Sequence, residues 1–282
     1  MADMPLDEHR VANLANWNDR VPVHLGPGGY EVEAFDDPAW LSQVVRFDRD
    51  RLGDLTGLDV VHLQCHIGTD TVSLSRLGPR SVTGYDFSPA AIDAARDLGR
   101  RAGSSAEFVV GELYDAPGTL SPGRFDLVYT GIGALNWLPD IAGWAVVVAT
   151  LLRPGGRLHL REGHPQLCGA DDTRTDGLVC ADVPVFGSAG PTTFDIPVSY
   201  EGDGTILEHS VTYEWNWSIG EVVTALIDAG LRIDELAEHR TVPWNALGDA
   251  MHAVAPFGEY ELVDRPDRLA ATYTLRATKL PA

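Results

Sequence analysis

Between residues 54 and 162 the sequence alternates between short apolar runs and longer segments with helical periodicity. The short runs predict five strands, at 59–63, 81–85, 107–110, 125–129 and 157–160. The segments between them predict helices at 69–77, 89–101 and 139–152. Strands and helices alternating at this spacing predict a parallel sheet with helices on both faces. Ligands of such sheets bind beyond the carboxyl ends of the strands, so the candidate site residues are sought there.

The remaining sequence departs from this alternation and divides the chain into four predicted regions. Residues 1–53 contain helical patterns around 8–19 and 38–52, joined by a loop at 22–37, and predict an N-terminal helical lid. Residues 54–162 predict the cofactor-binding core. Residues 163–216 contain short β-type runs among Gly, Pro and Asp, and predict an inserted cap that contacts substrate. Residues 217–282 predict one helix and two strands that complete the core sheet.

Composition limits the environment and the partners of the chain. The formal net charge of −20 argues against nucleic acid and against an anionic membrane, because both require a basic surface. No apolar run approaches the ~20 residues of a membrane helix, and the first residues lack the blocks of a signal peptide. The three cysteines form neither a C-x-x-C pair nor a zinc set. We therefore expect no metal, a cytoplasmic location, a small-molecule partner, and a chain compatible with homo-oligomers.

Four tracts in a fixed order carry a family resemblance. Asp86 ends the second strand 18 residues after Gly68, and Gly-Glu-Leu at 111–113 follows the third strand. Phe-Asp-Leu-Val-Tyr-Thr at 125–130 forms the fourth strand, and Leu-Arg-Pro-Gly-Gly-Arg-Leu at 152–158 is the turn before the fifth. Together these tracts resemble class I S-adenosylmethionine-dependent methyltransferases over about 100 residues. The resemblance implies a Rossmann-like, seven-stranded, mostly parallel α/β sheet that binds S-adenosylmethionine.

The first tract departs from the usual family form, Val-Leu-Asp-Leu-Gly-Cys-Gly-Thr-Gly. Here residues 60–68 read Val-Val-His-Leu-Gln-Cys-His-Ile-Gly, which keeps only the last glycine. By resemblance, the cofactor-binding residues of this turn are Gln64, Cys65, His66 and Gly68. The Gln64 amide could bond the amino-acid tail of the cofactor, or Gln64 and Cys65 could contribute backbone alone.

The resemblance also assigns cofactor contacts on the next three strands. Asp86 is expected to accept hydrogen bonds from the ribose hydroxyls, and Glu112 to bond the adenine amino group. Phe87 and Leu113 are expected to cover the adenine, and Thr130 to contribute backbone near the sulfonium. The alternative for both acids is structural, since carboxylates at strand ends commonly cap the next helix.

Catalytic candidates lie past the fifth strand, where Glu162 and His164 are two residues apart. An imidazole with a pKa of ~6.5 could accept a proton near neutral pH, and the carboxylate could orient it or act alone. The structural alternatives remain open: Glu162 pairs locally, and His164 only precedes a turn at Pro165. His24 is a second candidate, in the N-terminal region.

Asn136 and Trp137 follow the fourth strand at the expected pocket mouth and predict contacts to a planar or apolar substrate. The predicted function is therefore methyl transfer to oxygen, nitrogen or carbon of a small molecule, with a secondary metabolite as first choice. A nicotinamide-dependent oxidoreductase is disfavoured because its glycine fingerprint and a Tyr-x-x-x-Lys pair are both missing. The alternative kept open is a non-catalytic or atypical S-adenosylmethionine-binding protein that uses the sulfonium for another reaction.

Overall fold

A computed structural model describes residues 8–281 of the chain. The helices are α1 Glu8–Leu25, α2 Gln43–Leu52, α3 Thr69–Ser75, α4 Pro89–Arg101, α5 Ala116–Leu120, α6 Ile141–Leu151, α7 Pro165–Cys168 and α8 Ile219–Asp228. The strands are β1 Asp59–Leu63, β2 Ser81–Asp86, β3 Glu107–Val110, β4 Phe125–Thr130, β5 Leu152–Gly163, β6 Thr192–Asp195, β7 Val211–Glu214, β8 Leu231–His239, β9 Met251–Val254, β10 Glu259–Leu262 and β11 Thr272–Lys279.

Seven of these strands form one sheet in the order β3-β2-β1-β4-β5-β11-β8. The first five are mutually parallel, and β11 is antiparallel to both of its neighbours. Strand order reverses between β1 and β4, so the loops after these two strands diverge and leave a crevice at their carboxyl ends. The predicted fold class is confirmed.

Helices cover both faces of this sheet. A core around the fully buried Trp144 packs α6 and α8 onto one face, where Leu158, Leu160 and Leu275 from the strands meet it. On the other face, α4 packs through residues such as Ile92 against the strands. A parallel sheet buried on both faces explains why its strands read as nearly continuous apolar runs.

The N-terminal and inserted regions are joined to each other by side-chain to backbone hydrogen bonds. The amide of Asn13 on α1 donates to the carbonyl of Tyr213 on β7 (2.8 Å) and accepts from its N–H (2.9 Å). Asp19 accepts from the backbone N–H of His209 (2.7 Å). Helix α1 therefore lies between the core and the β6–β7 hairpin.

Two features differ from the sequence prediction. Helix α1 was predicted to end at residue 19 but extends to Leu25 through Pro22, so His24 lies on this helix and not in a loop. Strands β9 and β10 form a hairpin over a separate small core that includes Leu167, Val242 and Leu269. Each of these strands is only four residues long, and its buried and exposed residues do not alternate. The sequence therefore shows no strand periodicity there. Within residues 8–281 no helix is long and apolar enough to cross a membrane.

Candidate active site

The turn between β1 and α3 has three residues with a left-handed backbone. Gln64 has φ 57°, His66 has φ 47° and Gly68 has φ 80°. These are the positions at which the usual family form has glycine, so the backbone shape is kept while two glycines are replaced. A left-handed conformation costs about 1–3 kcal/mol for each non-glycine residue, and such strain concentrates at functional sites. The Gln64 amide stabilises the turn by donating to the carbonyl of Ala134 after β4 (2.8 Å).

Gly68 is required at the third position for a steric reason as well. It is the N-cap of α3, and a Cβ built on it would lie 2.8 Å from both Ala95 Cβ and Phe108 Cε1. Real Cβ atoms do not approach carbon so closely, so the turn and α4 could not both keep their places. The absence of a side chain lets the start of α3 lie directly against α4.

The carboxylate of Asp86 lies at the end of β2 beside this turn. It is buried and accepts from the backbone N–H of His66 (2.8 Å) and of Ser88 (2.9 Å). Burial raises the pKa of Asp86 to about 6, although these amides favour the charged form. A carboxylate has about four acceptor positions, so two hydroxyl groups can still be accommodated.

Glu112 lies after β3, and its neighbour from the N-terminal region is Arg10. The Arg10 guanidinium on α1 is 3.4 Å from the Glu112 carboxylate. Burial raises the pKa of Glu112, and the nearby Arg10 opposes that shift. Gly111 precedes Glu112. A larger residue would not fit at position 111 while Tyr85 keeps its place, because a Cβ there would lie 2.0 Å from the Tyr85 hydroxyl oxygen.

Several buried polar atoms around this crevice have no hydrogen-bond partner within residues 8–281. They are Gln64 Oε1, His66 Nδ1, Thr130 Oγ1 and Asn136 Oδ1. Buried polar groups are nearly always paired, so a cluster of unpaired ones indicates a place for a polar ligand. All four follow or end β1 and β4, the two strands at which the sheet order reverses.

Glu162 at the end of β5 binds backbone and not an imidazole. Its Oε1 accepts from the N–H groups of Gly133 and Gly163 (both 2.6 Å), and its Oε2 from those of Ala134 (2.9 Å) and Leu135 (2.7 Å). Burial raises the pKa of the Glu162 carboxyl, and the four amides oppose that shift. This side chain positions the loop that follows β4.

His164 lies beyond the end of β5 and both of its ring nitrogens are engaged. Its Nδ1 accepts from the N–H of Gln166 (3.0 Å) and caps α7, and its Nε2 is 2.9 Å from a Glu238 carboxylate oxygen on β8. The structure therefore does not bring His164 together with Glu162. The catalytic role of both residues stays a prediction, and the contacts of both are those of structural groups.

His24 is fully buried and contacts the β1–α3 turn directly. Its Nδ1 is 2.8 Å from His66 Nε2, and its Nε2 is 2.7 Å from Ser199 Oγ in the inserted region. Burial lowers the pKa of His24 to about 3, and Arg20 adds to that shift. His24 is thus a neutral link between α1, the β1–α3 turn and the insertion.

Asn136 and Trp137 lie where the sequence predicted them, in the loop after β4. Asn136 Nδ2 donates to Glu214 (2.9 Å) and Trp137 Nε1 to the carbonyl of Gly133 (2.9 Å). The Trp137 ring packs edge-on against Trp17 of α1 at 5.2 Å.

The other predicted cofactor contacts are more enclosed. Cys65 and Leu113 are buried in opposite cores, Thr130 is fully buried, and Phe87 is half-buried. Cys65, Leu113 and Phe87 therefore offer backbone or apolar surface, whereas Thr130 also has its unpaired hydroxyl.

The residues missed by sequence reasoning lie mostly on α1, and they are Arg10, Asn13 and Arg20. Together with His24, which was predicted, they repeat at intervals of three, four and seven residues and are all buried. Polar side chains at this spacing form one helix face that would ordinarily be apolar. This spacing of polar residues could have predicted from the sequence that they are buried on one face of α1.

Comparison with known proteins agrees with this geometry. Residues 61–158 match the protein family described as "Methyltransferase domain". This match shows similarity to a methyltransferase domain over about a third of the chain. The matched residues run from β1 into β5 and contain the turn, Asp86, Glu112 and the loop after β4. Helix α1 and the insertion lie outside this match.

Individual relatives are similar over part or all of the chain. The chain is 37% identical over 121 residues to a demethylmenaquinone methyltransferase of Lactococcus lactis, covering 42% of this chain and 47% of that protein. It therefore spans about half the length of this curated relative. Its fold is similar to an S-adenosylmethionine-dependent methyltransferase of Mesorhizobium loti (TM-score 0.57, 19% identity, 84% and 98% of the two chains). It is also similar to the [4+2]-cyclase SpnF (TM-score 0.53, 16% identity, 97% and 94%).

Proposed function

We propose that this protein is an S-adenosylmethionine-dependent methyltransferase that transfers a methyl group to oxygen, nitrogen or carbon of a small molecule. The observation that carries the proposal is the convergence of Asp86, Glu112 and the left-handed turn at 64–68 on the crevice where the strand order reverses. The methyltransferase domain match covers these same residues. The relative that methylates demethylmenaquinone supports a small acceptor.

The unpaired polar atoms fit an adenosine with a charged tail. Asp86 would accept from the ribose hydroxyls, and Glu112 would accept from the adenine amino group after partial release of Arg10. Gln64 Oε1 lacks a donor and would accept from the ammonium of the amino-acid tail. Phe87 and Leu113 would line the adenine, and Thr130 the region near the sulfonium.

Methyl transfer is an in-line displacement in which the sulfonium of the bound cofactor supplies the activated methyl group. The chain's own residues then have to bind and align the cofactor and the acceptor, and to exclude water from them. Positioning alone can contribute ~7–11 kcal/mol to lowering the barrier. Because Glu162 and His164 are occupied by structural contacts, we propose that alignment carries most of the rate. Helix α1, with Trp17 and His24 facing the turn, covers the crevice and shields it from water.

The second candidate function is an atypical S-adenosylmethionine-binding protein that does not transfer the methyl group. The replaced glycines at 64 and 66 favour it, and the [4+2]-cyclase shows that this fold serves other reactions. The two functions differ in whether S-adenosylhomocysteine accumulates. Incubation with S-adenosylmethionine labelled in the methyl group and a panel of phenols, amines and carbon acceptors follows the label into the methylated acceptor, and chromatography of the same mixture measures the unlabelled S-adenosylhomocysteine.

Replacing Asp86 with asparagine is expected to weaken S-adenosylhomocysteine binding by about 1.5–3 kcal/mol, the range for hydrogen bonds to a charged group. In the parent protein the affinity should be nearly constant above about pH 7 and fall as the pH drops through 6, because the ionised carboxylate is the better acceptor and burial raises its pKa to about 6. The asparagine variant should show a flatter pH profile. Calorimetric titrations between pH 5 and 8 test this, and equal affinities at neutral pH would remove Asp86 from the site.

A further inference from the structure

Arg20 is a buried cation with no carboxylate of residues 8–281 in direct contact. Its side chain lies on α1 and is 7% exposed. No carboxylate within residues 8–281 lies within ion-pair distance of it, in a chain that has an excess of acids. A buried guanidinium is normally paired with an anion, because removing it from water is costly. Glu214 interacts with Arg20 only through space, where Arg20 opposes the rise that burial causes in the pKa of Glu214. Arg20 therefore lacks a carboxylate in direct contact among these residues.

The guanidinium of Arg20 is held in place by its neighbours. Its Nε donates to Asn16 Oδ1 (2.7 Å), and the amide of Asn16 is fixed in turn by the carbonyl of His209 (2.6 Å). No hydrogen bond from residues 8–281 reaches its two terminal nitrogens. A pair of free terminal nitrogens matches the two oxygens of a carboxylate or a similar oxyanion.

Three aromatic rings surround this guanidinium. Its Cζ is 5.1 Å from the ring centre of Trp17, 5.7 Å from that of Trp137 and 5.6 Å from that of Tyr200. The Trp17 ring is also 4.8 Å from the His66 ring, so this aromatic box adjoins the cofactor turn. Flat aromatic walls around a cation favour a planar anion, which can stack on the rings while it pairs with the guanidinium.

The nearby ionisable groups leave Arg20 as the positive charge of the box. Glu214 is engaged by Asn136 (2.9 Å) and Thr212 (3.1 Å). His24 and His66 are bonded to each other, and the pKa of each is lowered by burial, so both are neutral. Three of the box residues, Trp17, Arg20 and Tyr200, lie outside the matched methyltransferase domain.

We propose that Arg20, Trp17, Trp137 and Tyr200 form the acceptor site, and that the acceptor is a planar molecule with a carboxylate or another oxyanion bound by Arg20. This inference rests on the proposed function, because it places the acceptor beside the cofactor turn. The same oxyanion chemistry has a second source, the α-carboxylate of the cofactor. The location of the box outside the matched domain favours the acceptor, and the test separates the two.

The first experiment compares a charged probe with a neutral one of the same shape. Salicylate and salicylamide are titrated into the protein with and without saturating S-adenosylhomocysteine, and quenching of tryptophan fluorescence reports occupancy beside Trp17 and Trp137. We expect salicylate to bind with a Kd of about 1 mM and salicylamide about tenfold more weakly. Equal binding of the two probes, or no salicylate binding at about 10 mM, would overturn the proposal.

The second experiment uses Arg20→Met and Arg20→Lys. The methionine variant should bind salicylate at least about tenfold more weakly and keep its affinity for S-adenosylhomocysteine within about twofold. The lysine variant keeps the charge and checks that any loss is not a failure to fold. Arg46→Met is the matched control, because Arg46 on α2 also stacks on an indole, that of Trp40, at 5.0 Å, and its loss should leave both titrations unchanged.

A truncated cofactor separates the two sources of the oxyanion. If Arg20→Met weakens binding of S-adenosylhomocysteine but not of 5′-methylthioadenosine, which lacks the amino-acid tail, Arg20 holds the cofactor carboxylate and the acceptor proposal is wrong. The proposed function fails by a different result, in which the parent protein binds neither cofactor compound. Salicylate titration in the absence of cofactor remains informative in that case.

Discussion

Replacing Glu162 with alanine is expected to lower the free energy of unfolding by about 4 kcal/mol, because four backbone amides lose their acceptor at once and each buried unpaired amide costs about 1–3 kcal/mol. The amides belong to Gly133, Ala134, Leu135 and Gly163. The loop after β4 also carries Asn136 and Trp137, so S-adenosylhomocysteine and acceptor probes should both bind more weakly. Urea denaturation and calorimetric titration of the same preparations measure the two effects.

Two further variants make the Glu162 result specific. Glu162→Gln keeps one acceptor oxygen and should lie between the parent and the alanine variant. Glu238→Ala removes an acid from β8 that is half exposed and pairs with His164, and should change stability by less than about 1 kcal/mol. A Glu162→Ala protein as stable as the Glu238→Ala protein would show that the loop does not depend on this carboxylate.

Replacing Gly68 with alanine is expected to destabilise the protein by about 2–4 kcal/mol and to impair cofactor binding. The new methyl group would meet Ala95 Cβ and Phe108 Cε1 at 2.8 Å, and overpacking costs about 1–3 kcal/mol. The left-handed φ of 80° adds a strain of about 1 kcal/mol for a residue with a side chain. Moving the turn to relieve both would displace the amides that face Asp86.

The Gly103→Ala variant measures the contribution of backbone strain alone to the loss of stability. Gly103 has φ 63°, and a Cβ built there has no neighbour within 4 Å. Its substitution should therefore show the backbone effect alone, about 1 kcal/mol. Thermal and urea unfolding of the two variants give the steric contribution by difference. Equal losses for Gly68→Ala and Gly103→Ala would argue against close packing between α3 and α4 at this turn.

The alternating core could be predicted from the sequence because its signals are local. The apolar run of β1 and the Ser-Pro start of α4 each fix an element within a few residues, and the observed bounds match closely. Asp86 and Glu112 could be placed at strand ends for the same reason. The sheet order then follows from a resemblance that spans all five strands.

The catalytic pair illustrates what the sequence alone could not determine. Alternation along a strand predicts that Glu162 and His164 point the same way, but β5 ends at Gly163 and His164 already caps α7. The rule of alternation does not extend past the end of the strand. Glu162 has partners 27–29 residues away in the chain, which no local pattern shows.

The face of α1 illustrates a second limit. Its buried side chains include Arg10, Asn13, Arg20 and His24, so a search for apolar periodicity finds no reason to bury this helix. Their partners lie in β7, the insertion and the core, up to 200 residues away. Only the three-dimensional structure shows that a polar helix face meets a polar crevice.

The two replaced glycines in the β1–α3 turn make this turn dependent on its side chains. Gln64 joins it to the loop after β4, and His66 joins it to α1 through His24. Restoring glycine at both positions would relieve the backbone strain but would also remove those two side-chain contacts. The hydrogen bond from the backbone N–H at position 66 to the Asp86 carboxylate would remain. With glycine at both positions, the β1–α3 turn would therefore be more flexible and would lack its side-chain contacts to α1 and to the loop after β4.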